Sequence, residues 1–237
     1  MQAKGKLIPA GGNLSFVKSG LLSEIIREIK GPETYIEIIT TASEVPEEVG
    51  ELYRNAFQDL GCRKVDVMHI RKREDVYEEN YLTRIKKADG VLFTGGDQMK
   101  LTTVFGGSEF HEILVNRYKN EEFVIAGTSA GAMAMTSVMI YPKTDSDIFL
   151  KNEIKYFAGL SFIKDLVIDT HFFNRGRFWR LSQVVTSNPG CIGIGLCEDT
   201  AVVITEGRHV FQKGGVITNA KTAGFLFHNP SLLQAFT

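Results

Sequence analysis

A serine flanked by small residues, Gly127-Thr128-Ser129-Ala130-Gly131, follows the apolar run Phe123 to Ala126. The arrangement is G-x-S-x-G, a turn that swings the chain sharply from strand to helix and holds the serine in a strained, exposed position. Small neighbours leave room for the turn and for an approaching substrate. A helix through Ala-Met-Ala-Met-Thr-Ser-Val (132–138) would aim its first amides at developing negative charge. The chemistry implied is nucleophilic attack by Ser129, which at neutral pH needs a base. Of the five histidines, His171 follows the apolar run Leu166 to Asp169 and so should stand at the same strand edge as Ser129. His69 is expected to be packed, because the apolar Ile70 follows it. His111 falls in a helical stretch, and His209 and His228 fall in the irregular C-terminal part. Spacing leaves the orienting acid open among Asp145, Asp147, Asp165, Asp169, Glu198 and Asp199; Glu198 is preferred because it ends the strand-like run Ile192 to Cys197.

Near His171 stand Arg175, Arg177 and Arg180. Positions 175 and 177 diverge on a helix, so the three cannot share one solvated helix face. Forked guanidinium groups beside a nucleophile suit recognition of a carboxylate or phosphate. The competing reading is a charge cluster at a helix start that pairs with local acids.

The elements that must position these residues alternate regularly in the first half. Strand-like runs span 7–10, 35–41, 64–70, 90–93 and 123–126, and helical periodicity spans 19–30, 46–60, 74–87 and 108–118. In the first helix Leu22, Ile25, Ile26 and Ile29 share a face opposite Glu24, Arg27, Glu28 and Lys30. The strands are apolar throughout, as expected of strands covered on both faces. Repeated βα units imply right-handed crossovers. The fold class is therefore α/β, a mostly parallel open sheet with helices on both faces. After Val138 the pattern loosens: a loop at 141–147, a strand at 166–169, a helix at 175–186, then short antiparallel strands at 192–196, 201–205 and 209–212. A single mixed-sheet domain covering 1–237 is the economical reading. Ligands of such sheets bind outside the carboxyl ends of the strands. Three glycine turns fall there: Gly11-Gly12, Gly95-Gly96 and the Ser129 turn.

Composition removes several function classes. The chain has 237 residues and a net charge of −1, which gives no global field for nucleic acid or an anionic membrane. No apolar run reaches the ~18 residues that span a bilayer, and the N-terminus lacks the apolar stretch of a secretory signal, so a cytoplasmic location is expected. Three scattered cysteines, Cys62, Cys191 and Cys197, make neither a disulfide framework nor a zinc cluster. Gly11-Gly12 carries neither G-x-G-x-x-G nor a P-loop lysine, so nucleotide binding is not expected there. No cofactor or metal is expected. A cysteine-based amidotransferase-like hydrolase would need a cysteine where Ser129 stands.

Several of these segments, in order, resemble the cyanophycinase family of serine peptidases, which also holds aspartyl dipeptidase. They are F-T-G-G-D-Q (93–98), G-T-S-A-G-A (127–132), D-x-H-F-x-x-R-x-R-x-x-R-L (169–181) and the strand ending in Glu198. The resemblance runs from the opening Leu-Ile-Pro-Ala-Gly-Gly to about residue 219. It implies a fold like that of class I glutamine amidotransferases, and a triad of Ser129, His171 and Glu198 with an oxyanion hole from the amides of Gly96 and Ala130. Gln98, Asp169, Thr170, Arg175, Arg177 and Arg180 are the implied substrate-binding positions, the arginines to grip a carboxylate and Asp169 to answer a guanidinium. The implied substrate is cyanophycin, a polyaspartate backbone with arginine on each β-carboxylate, cut to β-Asp-Arg; the alternatives are aspartyl or β-aspartyl dipeptides, or binding without turnover. No nucleic-acid or membrane partner is implied, and a homodimer is compatible with the resemblance. Two departures stand out. Thr170 replaces the family's glutamine, and the tail from Ala220 to Thr237 does not follow the family pattern, as a truncated or divergent C-terminus would not.

Overall fold

A computed structural model describes residues 3–14, 20–29, 33–142, 154–205 and 225–227. The unbroken apolar character of the first strands has a direct cause, because successive side chains of a strand point to opposite faces and both faces here are covered. In β1 (Lys6–Ala10), Leu7 enters one core and Ile8 the other. The helix α1 (Leu21–Ile29) buries Leu21, Leu22, Ile25 and Ile26 against the same face as Ile36 and Ile38 of β2 (Tyr35–Ile39). Pro46 opens α2 (Pro46–Asp59), where a missing N–H costs nothing, and Phe57 joins that core. β3 (Lys64–Met68) follows.

On the opposite face lie α3 (Glu79–Lys87), α4 (Gln98–Phe105) and α5 (Glu109–Asn120). β4 (Gly90–Phe93) and β5 (Val124–Thr128) sit between the layers, with Leu92 facing one core and Phe93 the other. The sequence pattern missed α4. Its signal is the Asp97 side chain, which accepts from the Met99 amide at 2.8 Å and caps the helix.

Five of these strands run parallel in the order β1-β5-β4-β2-β3. Past Ser129 the helix α6 (Ala130–Met133) is a single turn, far shorter than the 132–138 reading. Thr136 ends it by donating its hydroxyl to the Met133 carbonyl at 3.0 Å. An antiparallel pair then forms from β6 (Val138–Pro142) and β7 (Ile154–Ala158), so Tyr141 and Pro142 are strand rather than loop.

β8 (Leu166–Asp169), α7 (Phe178–Ser187) and β9 (Ile192–Gly195) make one more βαβ unit, so β9 runs parallel to β8. This corrects the all-antiparallel reading of the C-terminal strands; a helix between two strands returns the chain in the same direction. Antiparallel pairing does occur where β10 (Ile204–Thr205) lines β1 and where β11 (Phe225–Phe227) lines β9. The described strands form three sheets instead of one. The reading of a strand at 209–212 falls outside the described residues, as do His209 and His228. Among the described residues no helix is long and apolar enough to cross a membrane.

Candidate active site

The turn after β1 draws three distant segments to one point with three consecutive carbonyl groups. The carbonyl of Ala10 accepts from the Ser129 amide (3.0 Å), that of Gly11 from the His171 amide (2.8 Å), and that of Gly12 from the Asp199 amide (2.9 Å). Asp199 follows Glu198, so the backbone segments that carry Ser129, His171 and Glu198 all hang from residues 10–12. Gly12 can serve only as glycine. Its φ is +104°, and a Cβ there would lie 2.4 Å from Cε1 and Nε2 of His171.

On this frame the side chains of Ser129, His171 and Glu198 form one hydrogen-bonded line. Ser129 Oγ is 2.9 Å from His171 Nε2, and His171 Nδ1 is 2.7 Å from Glu198 Oε1. Ser129 sits at φ 51°, ψ −111°, a conformation uncommon for a residue with a side chain. Five non-glycine residues among those described have positive φ, and four of them (Asn13, Ser129, His171 and Asp199) are here. Backbone strain concentrated in this way is typical of functional sites.

The electrostatics suit proton transfer. The His171 hydrogen bond, followed by that of Asn13, holds the Glu198 carboxyl below its usual range. As a carboxylate it accepts a hydrogen bond from Nδ1–H, which keeps the ring proton on Nδ1 and leaves Nε2 bare to accept from the Ser129 hydroxyl. Burial lowers the His171 pKa below the ordinary 6.5 against the pull of Glu198, and the charges of Arg175 and Arg177 lower it further. The imidazole is therefore neutral at neutral pH and able to act as a base.

The turn Gly95-Gly96 lies against the serine, since a Cβ on Gly95 would be 3.3 Å from Ser129 Cβ. Gly96 has φ +135°, and a Cβ there would fall 2.0 Å from the Ala42 carbonyl oxygen. Asp97 donates its amide to that same oxygen at 2.9 Å. The turn is thus pinned between the loop after β2 and the serine, with Ala130 opening α6 on the other side.

Several residues expected to meet substrate are occupied otherwise. Asp169 is fully buried and pairs with Arg180, itself 1% exposed, through Nε to Oδ2 at 2.7 Å and a second contact from Nη2 to Oδ1. Arg177, also buried, stands 3.5 Å from Asp169 and donates to the Thr170 carbonyl at 2.6 Å. The cluster is an internal one: Arg177 and Arg180 pair with a local acid, as the helix-start reading of the arginines expects. Gln98 is buried and donates its side-chain amide to the Ile140 carbonyl at 2.8 Å. Thr170 is buried; its amide donates to Asp169, and its Oγ1 has no hydrogen-bond partner among the described residues. Arg175 alone of the three arginines is exposed. His69, expected to be packed, is exposed and lies 3.3 Å from Arg71, because only Ile70 turns inward there. Sequence reasoning missed Asn13 and Asn174, whose side-chain amides reach Glu198 Oε2 at 3.1 and 3.2 Å. Among the described residues no group of three or more His, Cys, Asp or Glu is gathered as a metal site.

A family model for peptidase family S51 matches residues 12–211. A cyanophycinase of Trichormus variabilis is 34% identical over 199 residues, covering 81% of this chain and 67% of that protein. One from Synechococcus elongatus is 29% identical over 201 residues, 84% of this chain and 62% of the relative. The chain thus spans about two thirds of the length of these relatives. Among solved structures, a peptidase from an acI-B1 Actinobacterium superimposes with a TM-score of 0.66 at 20% identity, covering 86% of this chain and 85% of that one. A putative peptidase E protein from Listeria monocytogenes gives 0.60 at 17% identity, covering 96% and 99%.

Proposed function

We propose a mechanism and a substrate on one premise: the chain belongs to peptidase family S51 and is a serine-type peptidase. The nucleophile is Ser129, and the observation that carries this assignment is the Ser129–His171–Glu198 line of hydrogen bonds at 2.9 and 2.7 Å. Ser129 Oγ attacks the scissile carbonyl carbon as its proton passes to His171 Nε2. The oxyanion forms between the amides of Gly96 and Ala130. Collapse breaks the C–N bond, and His171 returns the proton to the leaving amine, leaving an acyl group on Ser129. Water then attacks the acyl carbon in the same way and regenerates the serine. Glu198 keeps the imidazole in one tautomer throughout.

The substrate is cyanophycin, cut from a chain end to β-Asp-Arg. Likeness to cyanophycinases supports this, and the exposed Arg175 beside His171 and Glu198 offers a forked cation for a free carboxylate. The burial of Asp169 favours a second reading, in which no substrate arginine is required and Asp-X or β-aspartyl dipeptides are cleaved. Incubation with insoluble cyanophycin and, separately, with Asp-X dipeptides, followed by mass analysis, decides between them. Release of β-Asp-Arg supports the first reading, cleavage of dipeptides alone supports the second, and no cleavage of either overturns both.

Two further results are expected. Because only neutral His171 can take the serine proton, kcat/KM should rise with pH along an acid limb whose midpoint lies below 6.5, then stay flat through neutrality. A limb centred above pH 7 would contradict the geometry. Gly12→Ala should displace the imidazole against which its new Cβ would collide, and a shift of about 1 Å in a catalytic group costs on the order of 100-fold in rate. Normal circular dichroism with activity within threefold of wild type would show that the close approach does not matter.

A further inference from the structure

We infer that Asn13 and Asn174 are positioning residues that hold the Glu198 carboxylate in register with His171, an inference that rests on the triad reading above. Glu198 is only half-buried and is carried on the first residues after β9, just before Asp199 with its left-handed backbone. One of its oxygens, Oε1, is committed to His171 Nδ1. The other, Oε2, receives two amide donors from separate turns: Asn13 from the turn after β1 at 3.1 Å and Asn174 from the turn after His171 at 3.2 Å. With the oxygen fixed at both, the carboxylate cannot rotate about its terminal bond without breaking two hydrogen bonds, and it keeps Oε1 in line with the imidazole. Neither amide reaches Ser129 or a reacting atom, so both act through Glu198.

Their placement is specific. Asn13 continues the sequence of anchors made by the carbonyls of Ala10, Gly11 and Gly12, adding a side chain where they supply backbone. Its φ is +46°, a region that Asn tolerates better than most residues. The backbone requirement and the amide requirement thus meet in one residue, and substitution can separate them. Asn13→Gly keeps the left-handed turn and deletes the donor. Asn13→Asp keeps shape and backbone and turns a donor into a negative charge facing Glu198. Asn174 has no positive φ to protect, so Asn174→Ala and Asn174→Asp serve the same purposes.

The test is the rate of Ser129 labelling by a fluorophosphonate as a function of pH, which reads nucleophile and base without depending on the natural substrate. The charged groups facing the His171 imidazole are Glu198, Arg175 and Arg177, all unchanged in the variants. Asn13→Gly should lower the limiting labelling rate about fivefold, the worth of one net hydrogen bond. Reagent affinity should be unaltered and the melting temperature should stay close to that of wild type, since relief of the positive φ offsets the lost hydrogen bond. Since both amides share Oε2, the double variant Asn13→Gly/Asn174→Ala should lose more than the product of the two single losses. Asn13→Asp should move the acid limb to higher pH, because the added carboxylate favours the imidazolium. If all variants label at the wild-type rate with an unmoved limb, the inference is wrong even though the triad stands. If Ser129→Ala still labels and still hydrolyses, the triad reading falls first, so the two failures are distinguishable.

Discussion

Ser129→Ala should fold normally and hydrolyse substrate at least about 10⁴-fold more slowly than the wild-type chain. The change removes the hydroxyl oxygen that stands 2.9 Å from His171 Nε2 and with it the nucleophile of the proposed acylation step. The folded state should change little. The Ser129 amide still donates to the Ala10 carbonyl, and Ala130 and Ala132 still pack in the core. Alanine retains the uncomfortable φ of 51°, so the melting temperature should stay close to wild type, whereas Ser129→Gly should match or exceed it. Fluorophosphonate labelling should vanish in both variants. Activity within tenfold of wild type, with the fold intact, would remove Ser129 from the mechanism and with it the roles given to His171 and Glu198.

The second large effect is on stability. Asp169→Ala should leave Arg180 and Arg177, both buried, without the carboxylate that compensates them. Breaking a buried pair by removing one partner costs about 3–5 kcal/mol. For a chain of this size that is a fall in melting temperature of roughly 6–20 °C. Activity should decline as well, because Thr170 and His171 continue directly from Asp169. Replacing both partners, as in Asp169→Leu/Arg180→Met, should recover much of the stability, since a well-packed apolar pair avoids the desolvation of two ions. The alternative, in which Asp169 grips the arginine of a substrate, makes the opposite forecast: an unchanged melting temperature and a raised KM. Thermal unfolding of purified Asp169→Ala therefore separates the two.

That contrast shows where the sequence was legible and where it was not. The first five strands could be read because hydrophobic burial on both faces leaves an unbroken apolar run, and the turn around Ser129 could be read because its small residues and its position after such a run are local. The proximity of His171 and Glu198 to Ser129 was expected from a shared sheet edge, but β5 belongs to one sheet and β8 and β9 to another, and the three segments meet through the carbonyls of residues 10–12. The pairing of Asp169 with Arg180 was not legible because a buried bidentate pair and a substrate-facing pair use the same residue types; only burial tells them apart. His69 was misjudged by its neighbour, since in extended chain successive side chains point to opposite sides and an inward Ile70 turns His69 outward. The parallel course of β9 was available in principle, because the helix expected at 175–186 sits between two strands and demands it. Asn13 was not available. It is 185 residues from Glu198, and an asparagine after two glycines reads as an ordinary turn.

The turn at residues 10–13 also bears on when the enzyme becomes active during its own synthesis. The chain emerges N-terminus first, and its early βα units can pair as they appear. By the time Ser129 has been made, β1 through β5 are complete and the Ala10 carbonyl can already receive it. The carbonyls of Gly11 and Gly12 must still wait for the segments at His171 and Asp199. If Ser129 is the nucleophile and His171 its base, a nascent chain crowded among its neighbours on a polysome is up to that moment a peptidase without a proton acceptor. Hydrolysis becomes available only when nearly the whole matched length has been threaded back onto its first turn. On the triad reading, a partly made copy that lacks the segments at His171 and Asp199 should therefore be inactive.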